Sequence, residues 1–197
     1  LGIPVMMHVS DPKAFFTPID RYNERYDELG AHPNWSFVGE QYTYSKQEIL
    51  DQRNRVIAKH PNTIFIGAHV GNLPEELGKV SMWLEQYPNF YIDIDASISE
   101  LGRQPYTARK FIIKYQDRII FGTDMPANIK DSLEMYRTYF RFLETFDESF
   151  YSPDYDGTFD YARWPICGIG LPLALLKEIY SENILKSIPS LKSEINI

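Results

Sequence analysis

The stretch Ile119-Ile-Phe-Gly-Thr-Asp124 decides the fold class, because it is a short apolar run that ends in an acidic residue. Such a run, followed by loop residues and a helical pattern, is typical of a buried parallel strand. The stretches Ile3-Pro-Val-Met-Met-His8 and Ile64-Phe-Ile-Gly-Ala-His69 have the same form. Parallel β/α folds carry their chemistry at the carboxyl ends of the strands. The pattern therefore predicts that two histidines and an aspartate meet at one edge of a sheet.

Two imidazoles and a carboxylate form a ligand set that suits Zn²⁺ or a similar divalent metal. We therefore predict that His8, His69 and Asp124 are metal ligands and that the cofactor is a divalent metal, with zinc favoured. Each residue also has a plainer interpretation. A single histidine at a strand end is often structural, and an aspartate after Gly-Thr can form a turn or cap a helix. The occurrence of all three on separate strands favours the functional interpretation.

Helical patterns separate the predicted strands, which lie at about 3–8, 63–68, 90–94 and 119–122. A capping box, Ser45-Lys-Gln-Glu48, predicts a helix over about 46–59 that ends before Pro61. Strands that alternate with helices at this spacing imply a parallel sheet. Further helices are predicted near 74–87, 105–115, 129–144 and 172–187.

The helix near 129–144 has apolar residues at helical spacing. The predicted buried face contains Ile129, Leu133, Tyr136, Phe140 and Leu143.

Two segments fall outside this alternation. Residues 10–44 are rich in aromatic, acidic and proline residues, and long loops of this kind in a compact fold are usually functional. Their Pro33-Asn34 pair also leaves open a short extra strand. Residues 145–168 are either a lid or sugar-stacking surface, or a loop whose rings pack over the outer helices.

The bulk composition excludes several classes of protein. The 197 residues are 44% hydrophobic and carry a net charge of −7, which argues against a nucleic-acid partner. No apolar run reaches the length of about eighteen residues that a membrane helix needs, so no membrane association is expected. A single cysteine, Cys167, rules out an internal disulfide and favours the cytoplasm, although the start inside a strand without Met suggests a preceding segment and leaves export open.

The chain resembles the amidohydrolase superfamily, in the branch that includes aminocarboxymuconate-semialdehyde decarboxylase. The resemblance is carried by Pro4-Val-Met-Met-His8, Phe65-Ile-Gly-Ala-His-Val-Gly71, Tyr91-Ile-Asp-Ile94, Arg118-Ile-Ile-Phe-Gly-Thr-Asp-Met-Pro126 and Ile179-Tyr-Ser-Glu-Asn-Ile-Leu-Lys186. It implies an α/β fold of the (β/α)₈ TIM barrel type, which typically needs about 250 residues. Residues 1–197 would then be the C-terminal part of one barrel domain, strands five to eight with their helices. The family's His-x-His pair, expected in the first half, is absent from this sequence.

The resemblance also implies roles and a reaction. The residues matching His8 and Asp124 bind metal, and the one matching His69 either ligates a second metal or acts as an acid/base group beside the metal, so Asp124 and His69 are the expected catalytic residues. The expected activity is hydrolysis of a C–N, ester or lactone bond in a small organic substrate by a metal-activated water. The alternatives are nonoxidative decarboxylation of an aromatic or enol carboxylic acid, or a non-catalytic binding relative. A homodimer is possible.

Further candidates lie beyond the third strand. Asp93 and Asp95 share one face of that strand and either support the metal site or pair with a helix. Arg103 and Arg109 are candidate substrate-binding residues, because a guanidinium suits a substrate carboxylate, with salt bridging as the alternative. Asn72 is interpreted only as a helix cap.

Overall fold

A four-stranded parallel sheet forms the centre of the fold in the computed structural model, which describes residues 3–125, 132–152 and 162–194. The strands lie in chain order, and each is parallel to its neighbour. They are β1 (Val5–Met7), β2 (Phe65–Gly67), β3 (Phe90–Asp93) and β4 (Ile119–Ile120). The predicted α/β class is confirmed, and the sheet is consistent with part of a (β/α)₈ barrel. β4 is shorter than its apolar run because Phe121 and Gly122 already belong to the loop that leads to Asp124, whereas β1 begins two residues into its run, at Val5.

Helices follow the strands along the chain, as the sequence predicts. The capping box is present at Ser45, whose side chain accepts from the Glu48 amide while the Glu48 side chain accepts from the Ser45 amide. The helices are α1 (Tyr26–Ala31), α2 (Lys46–Lys59), α3 (Leu77–Gln86), α4 (Ile98–Gly102), α5 (Pro105–Lys114), α6 (Ser132–Glu144) and α7 (Leu173–Lys177), which continues through a π-helical turn (Glu178–Glu182) into α8 (Asn183–Ser187), and finally α9 (Leu191–Glu194). No helix in these three described ranges is long and apolar enough to cross a bilayer.

A core of apolar side chains lies between the sheet and the helices. Phe90, Ile92 and Ile119 from the strands are fully buried in it. α3 contributes Leu77, Val80 and Leu84 to the core, and α5 with the residue after it contributes Ala108, Phe111, Ile112 and Tyr115, all of which are buried. These contacts hold β2 and β3 at the centre of the structure.

The predicted buried face of α6 is wrong at most of its positions. The stripe that faces the core contains Met135, Tyr139, Phe142 and Leu143, of which only Leu143 was expected. Leu133, Tyr136 and Phe140 are exposed, and Ile129 lies outside the described residues. Tyr136 and Phe140 instead contact the ring of Phe121 at the rim of the core.

The two long loops fold without an added strand between residues 33 and 44, where Pro33–Trp35 forms a single 3₁₀ turn. In the second loop, residues 153–161 lie outside the described part of the chain. The described ring of Phe150 is buried, and Trp164 Nε1 donates to the Ser99 carbonyl at 2.9 Å. These two rings therefore pack against the protein, as the plainer interpretation expects.

Candidate active site

A cavity of about 380 Å³ lies where the four strands end. Its wall contains one or more residues from the loop after each strand: His8 after β1, His69 after β2, Ser97 after β3 and Asp124 after β4. The structure thus brings the three predicted metal and catalytic residues, His8, His69 and Asp124, to one cavity. Parallel strands produce this convergence because their carboxyl ends share one edge of the sheet.

His69 begins a left-handed turn that runs to Asn72. The φ angles are 53° at His69, 54° at Val70, 66° at Gly71 and 59° at Asn72. This region is unfavourable for residues with a Cβ, and consecutive non-glycine residues rarely occupy it. Such strain persists only where surrounding interactions hold it.

The turn is held by hydrogen bonds from both sides. The His69 amide donates to Asp93 Oδ1 at 2.8 Å and to Asp95 Oδ1 at 2.9 Å. Arg53, which is buried against the rings of Trp83 and Phe90, donates to the Gly71 carbonyl. Lys46 Nζ donates to the Asn72 carbonyl at 2.7 Å.

Asp95 fixes the imidazole of His69. His69 Nδ1 lies 2.8 Å from Asp95 Oδ1 and 3.1 Å from the Asp95 carbonyl, so Nε2 is the nitrogen left for other partners. Burial alone would lower the pKa of His69, but the contact with Asp95 outweighs it and raises that pKa. The same contact lowers the pKa of Asp95 to about 2 against the effect of burial. Burial and the neighbouring Asp95 raise the pKa of Asp93 well above its usual value.

His8 and Asp124 complete this group. The rings of His8 and His69 meet edge to face, with centroids 4.7 Å apart. His8 Nε2 lies 3.8 Å from Asp11 Oδ1. Burial and the nearby Asp95 raise the pKa of Asp124, while His69 and His8 lower it, which places Asp124 within electrostatic reach of both rings.

The donor types fit a divalent metal, since imidazole nitrogen and carboxylate oxygen are the usual ligands of Zn²⁺. Within the described ranges, no group of three or more His, Cys, Asp or Glu side chains stands at ligand spacing. His8, His69 and Asp124 therefore have the donor types that suit the metal and line one cavity, but they do not stand at ligand spacing.

Arg103 and Arg109 are not among the residues that line the cavity. Arg103 forms two hydrogen bonds with Glu24, at 2.6 and 3.2 Å, and stacks on Trp164. Arg109 donates to the Gly170 carbonyl at 3.3 Å. The structure does not bring them together with His8, His69 and Asp124, because nearer acceptors bind both guanidinium groups.

Several residues line the cavity that the sequence did not assign to the site. Arg25 and Glu28 come from the loop at 10–44, Glu100 comes from α4, and Asn72 ends the left-handed turn. Arg25 donates to Glu28 at 2.7 Å and to Glu100 at 2.5 Å, in a buried trio of charges. The one available signal was the i, i+3 spacing of Arg25 and Glu28, which on a helix is ordinarily a surface pair.

The aromatic residues of the same loop form another part of the wall. Phe15, Trp35 and Phe37 line the cavity, and Trp35 stacks on His32 with centroids 4.1 Å apart. The prediction that residues 10–44 contribute to the site agrees with this placement.

Comparison with known proteins gives a family and no individual relative. The family model described as amidohydrolase matches residues 1–186, which is nearly the whole chain. No curated protein and no solved structure matches the chain significantly. On the strength of the family match, this chain belongs to the amidohydrolase family.

Proposed function

We propose that this chain carries the active-site residues of a metal-dependent hydrolase that cleaves a C–N, ester or lactone bond in a small organic substrate. One observation supports the proposal above the others. His69 is oriented by Asp95 at the wall of a cavity that His8 and Asp124 also line. A carboxylate that orients a histidine is a recurrent feature of metal-assisted hydrolysis. The family to which the chain belongs is generally metal-dependent.

The residues have distinct roles in this proposal. His8 and Asp124 would hold a divalent cation, which supplies a Lewis acid for activating water and polarising the substrate. Asp124 is the proposed acceptor of the proton that the attacking water loses. His69, with Asp95 at its Nδ1, would use Nε2 in one of two ways: as a ligand of a second cation, or, with no metal on it, to stabilise negative charge or pass a proton to the leaving group.

The charges of the cavity favour hydrolysis over decarboxylation. Among the described lining residues, Arg25 is the one Lys or Arg side chain, and it is bound by Glu28 and Glu100. Asp11 and Asp124 add further negative charge to the wall. A substrate for decarboxylation carries a carboxylate, which would meet these acidic groups, whereas an amide, ester or lactone is neutral.

Metal analysis followed by a substrate panel tests the proposal. We expect about one equivalent of zinc or manganese per chain by elemental analysis. His8→Ala and Asp124→Ala should lose it, while Arg103→Ala, outside the cavity, should retain it. The metal-loaded protein should then turn over members of an amide, ester and lactone panel and release no carbon dioxide from hydroxybenzoates. Carbon dioxide release without any hydrolysis, or a well-folded protein that binds no metal, would overturn the proposed function.

A further inference from the structure

Glu100 is the most deeply buried carboxylate at the cavity wall. It is 1% exposed, lies on α4 and accepts from Arg25 Nη2 at 2.5 Å through Oε1. Its other oxygen, Oε2, has no hydrogen-bond partner among the described residues. Buried carboxylate oxygens normally accept hydrogen bonds, and an exception inside a native structure calls for an explanation.

Asn72 gives a second, independent example at the same cavity. Its side chain is likewise buried, with the residue 1% exposed, and Oδ1 accepts from the Val9 amide at 3.2 Å. In the described part of the chain, Nδ2 donates to no acceptor. Both residues line the cavity, so its wall contains a buried acceptor on Glu100 and a buried donor on Asn72.

The surroundings define what can approach these two atoms. Phe15, Trp35 and Phe37 line the same cavity and suit a flat apolar group. Burial raises the pKa of Glu100, Arg25 lowers it and Glu75 raises it further. A positively polarised N–H group beside Oε2 would therefore favour the ionised carboxylate.

We propose that Glu100 and Asn72 recognise the substrate: Glu100 Oε2 accepts from an N–H or O–H group of a flat, neutral or cationic molecule, and Asn72 Nδ2 donates to its carbonyl or hydroxyl oxygen. The substrate class is thereby narrowed to carboxamides, amidines and hydroxylated esters or lactones without a carboxylate. This inference rests on the proposed function only in treating the cavity as the substrate site. The competing explanation is structural: Glu100 would serve only to hold Arg25 and so attach the loop at 10–44 to α4.

Three probes of the same shape separate these explanations. Benzamidine is a cation with N–H donors, benzamide is neutral with both a donor and an acceptor, and benzoate is the anion of matching shape. Dissociation constants are measured for each probe by ligand-observed NMR titration of the whole chain, without added metal. We expect benzamidine and benzamide to bind and benzoate to bind at least about tenfold more weakly, a difference that corresponds to one strong polar contact.

Two variants assign the contacts. Glu100→Gln should weaken benzamidine binding by about tenfold or more. Glu28→Gln removes the same charge from the same trio and should weaken that binding by less than about threefold. Asn72→Gly keeps the left-handed backbone, because glycine tolerates a positive φ. This variant should weaken the binding of benzamide, which has a carbonyl oxygen. The binding of benzamidine, which has no acceptor, should not change.

The proposal is overturned if benzoate binds as tightly as benzamidine, if no probe binds, or if Glu100→Gln and Glu28→Gln have equal effects, which would indicate charge alone. Thermal unfolding reports whether each variant folds. Should Glu100→Gln fail to fold, the relative affinities of the three probes and the Asn72→Gly variant still test whether the two residues bind the substrate. Loss of the proposed hydrolysis would leave the probe order intact, so the two proposals can fail separately.

Discussion

The centre and the edge of the sheet hold their histidines in different ways. At the centre, the His69 side chain is 19% exposed and its partner Asp95 is 11% exposed, with 2.8 Å between His69 Nδ1 and Asp95 Oδ1. At the edge, the His8 side chain is 50% exposed and lies 3.8 Å from Asp11, whose side chain is 35% exposed. The contact that orients His69 is therefore shorter and more buried than the contact of His8.

The difference follows from the strands that carry the two residues. β2 has a hydrogen-bonded neighbour on each side, and Phe65 and Ile66 in it are buried. β1 is a terminal strand of the described sheet, and Val5 and Met6 are 43% and 63% exposed. In the described residues, His69 therefore follows a strand with two paired neighbours, and His8 follows a strand with one.

The largest effect is expected on stability, from adding a side chain at Gly67 in the central strand β2. A Cβ at Gly67 would lie 2.6 Å from Phe90 Cζ and 2.9 Å from Gly71 Cα. Because the second of these is backbone, Gly67→Ala should lower the free energy of unfolding by roughly 3 kcal/mol or more, measured by urea denaturation. Gly78→Ala is the matched control, since no heavy atom lies within 4 Å of its Cβ position. It should leave stability unchanged or raise it by up to about 1 kcal/mol; equal stability of the two variants would contradict the close packing described here.

A second experiment tests the link between centre and edge. Lys46 Nζ donates to the Asn72 carbonyl on the central side, and to Ser10 Oγ and the Asp11 carbonyl on the edge side. Burial lowers its pKa from 10.5 to about 8, although Glu75, Asp11 and Glu76 oppose the change. Between these two pH values the unfolded chain binds more protons than the folded chain, so this residue makes the protein more stable as the pH rises.

The measurement compares the wild type with Lys46→Met by urea denaturation from pH 7 to pH 10.5. The stability of the wild type relative to the variant should rise across that range by an amount on the order of 3 kcal/mol at most. The comparison cancels other titrating groups. A difference that stays constant with pH would show that Lys46 keeps an ordinary pKa.

The smallest of the three effects concerns metal affinity. Asp95→Asn removes the charge that orients His69, and loss of such a partner typically weakens metal binding by about 10–100-fold. Asp11→Asn, the corresponding change at the edge, should weaken it by less than about threefold, because the Asp11 contact is long and more exposed. Chelator competition for Zn²⁺ measures both. Equal losses would mean that the centre is no better organised than the edge.

The features that were predicted correctly from the sequence are those that depend on residues close together in the chain. The capping box at Ser45 and the strand ends at His8, His69 and Asp124 are short patterns, and the structure places them as expected. The buried face of α6 was mispredicted because Tyr136 and Phe140 form an apolar stripe beside the true one at Met135 and Tyr139. Helical spacing alone does not decide between two adjacent stripes; the surrounding packing does.

Contacts between distant positions account for what the sequence did not reveal. Arg25 and Glu100 are 75 residues apart, and no periodic pattern relates them. Asn72 follows His69 closely, but its role depends on a left-handed turn in which Gly71 is the only glycine. The hydrogen bonds from Arg53 and Lys46 that support this turn come from α2, so its conformation has no local sequence signature.

The left-handed turn at 69–72 has a consequence for protein design. A procedure that replaces unusual backbone with ideal geometry would remove this segment first, since three of its four residues carry a Cβ at positive φ. Val70→Gly would relax the backbone but would leave a void where a fully buried side chain now packs. A redesigned scaffold would gain regularity and lose the backbone that presents His69 and Asn72 to the cavity, so these four residues should be kept as a unit.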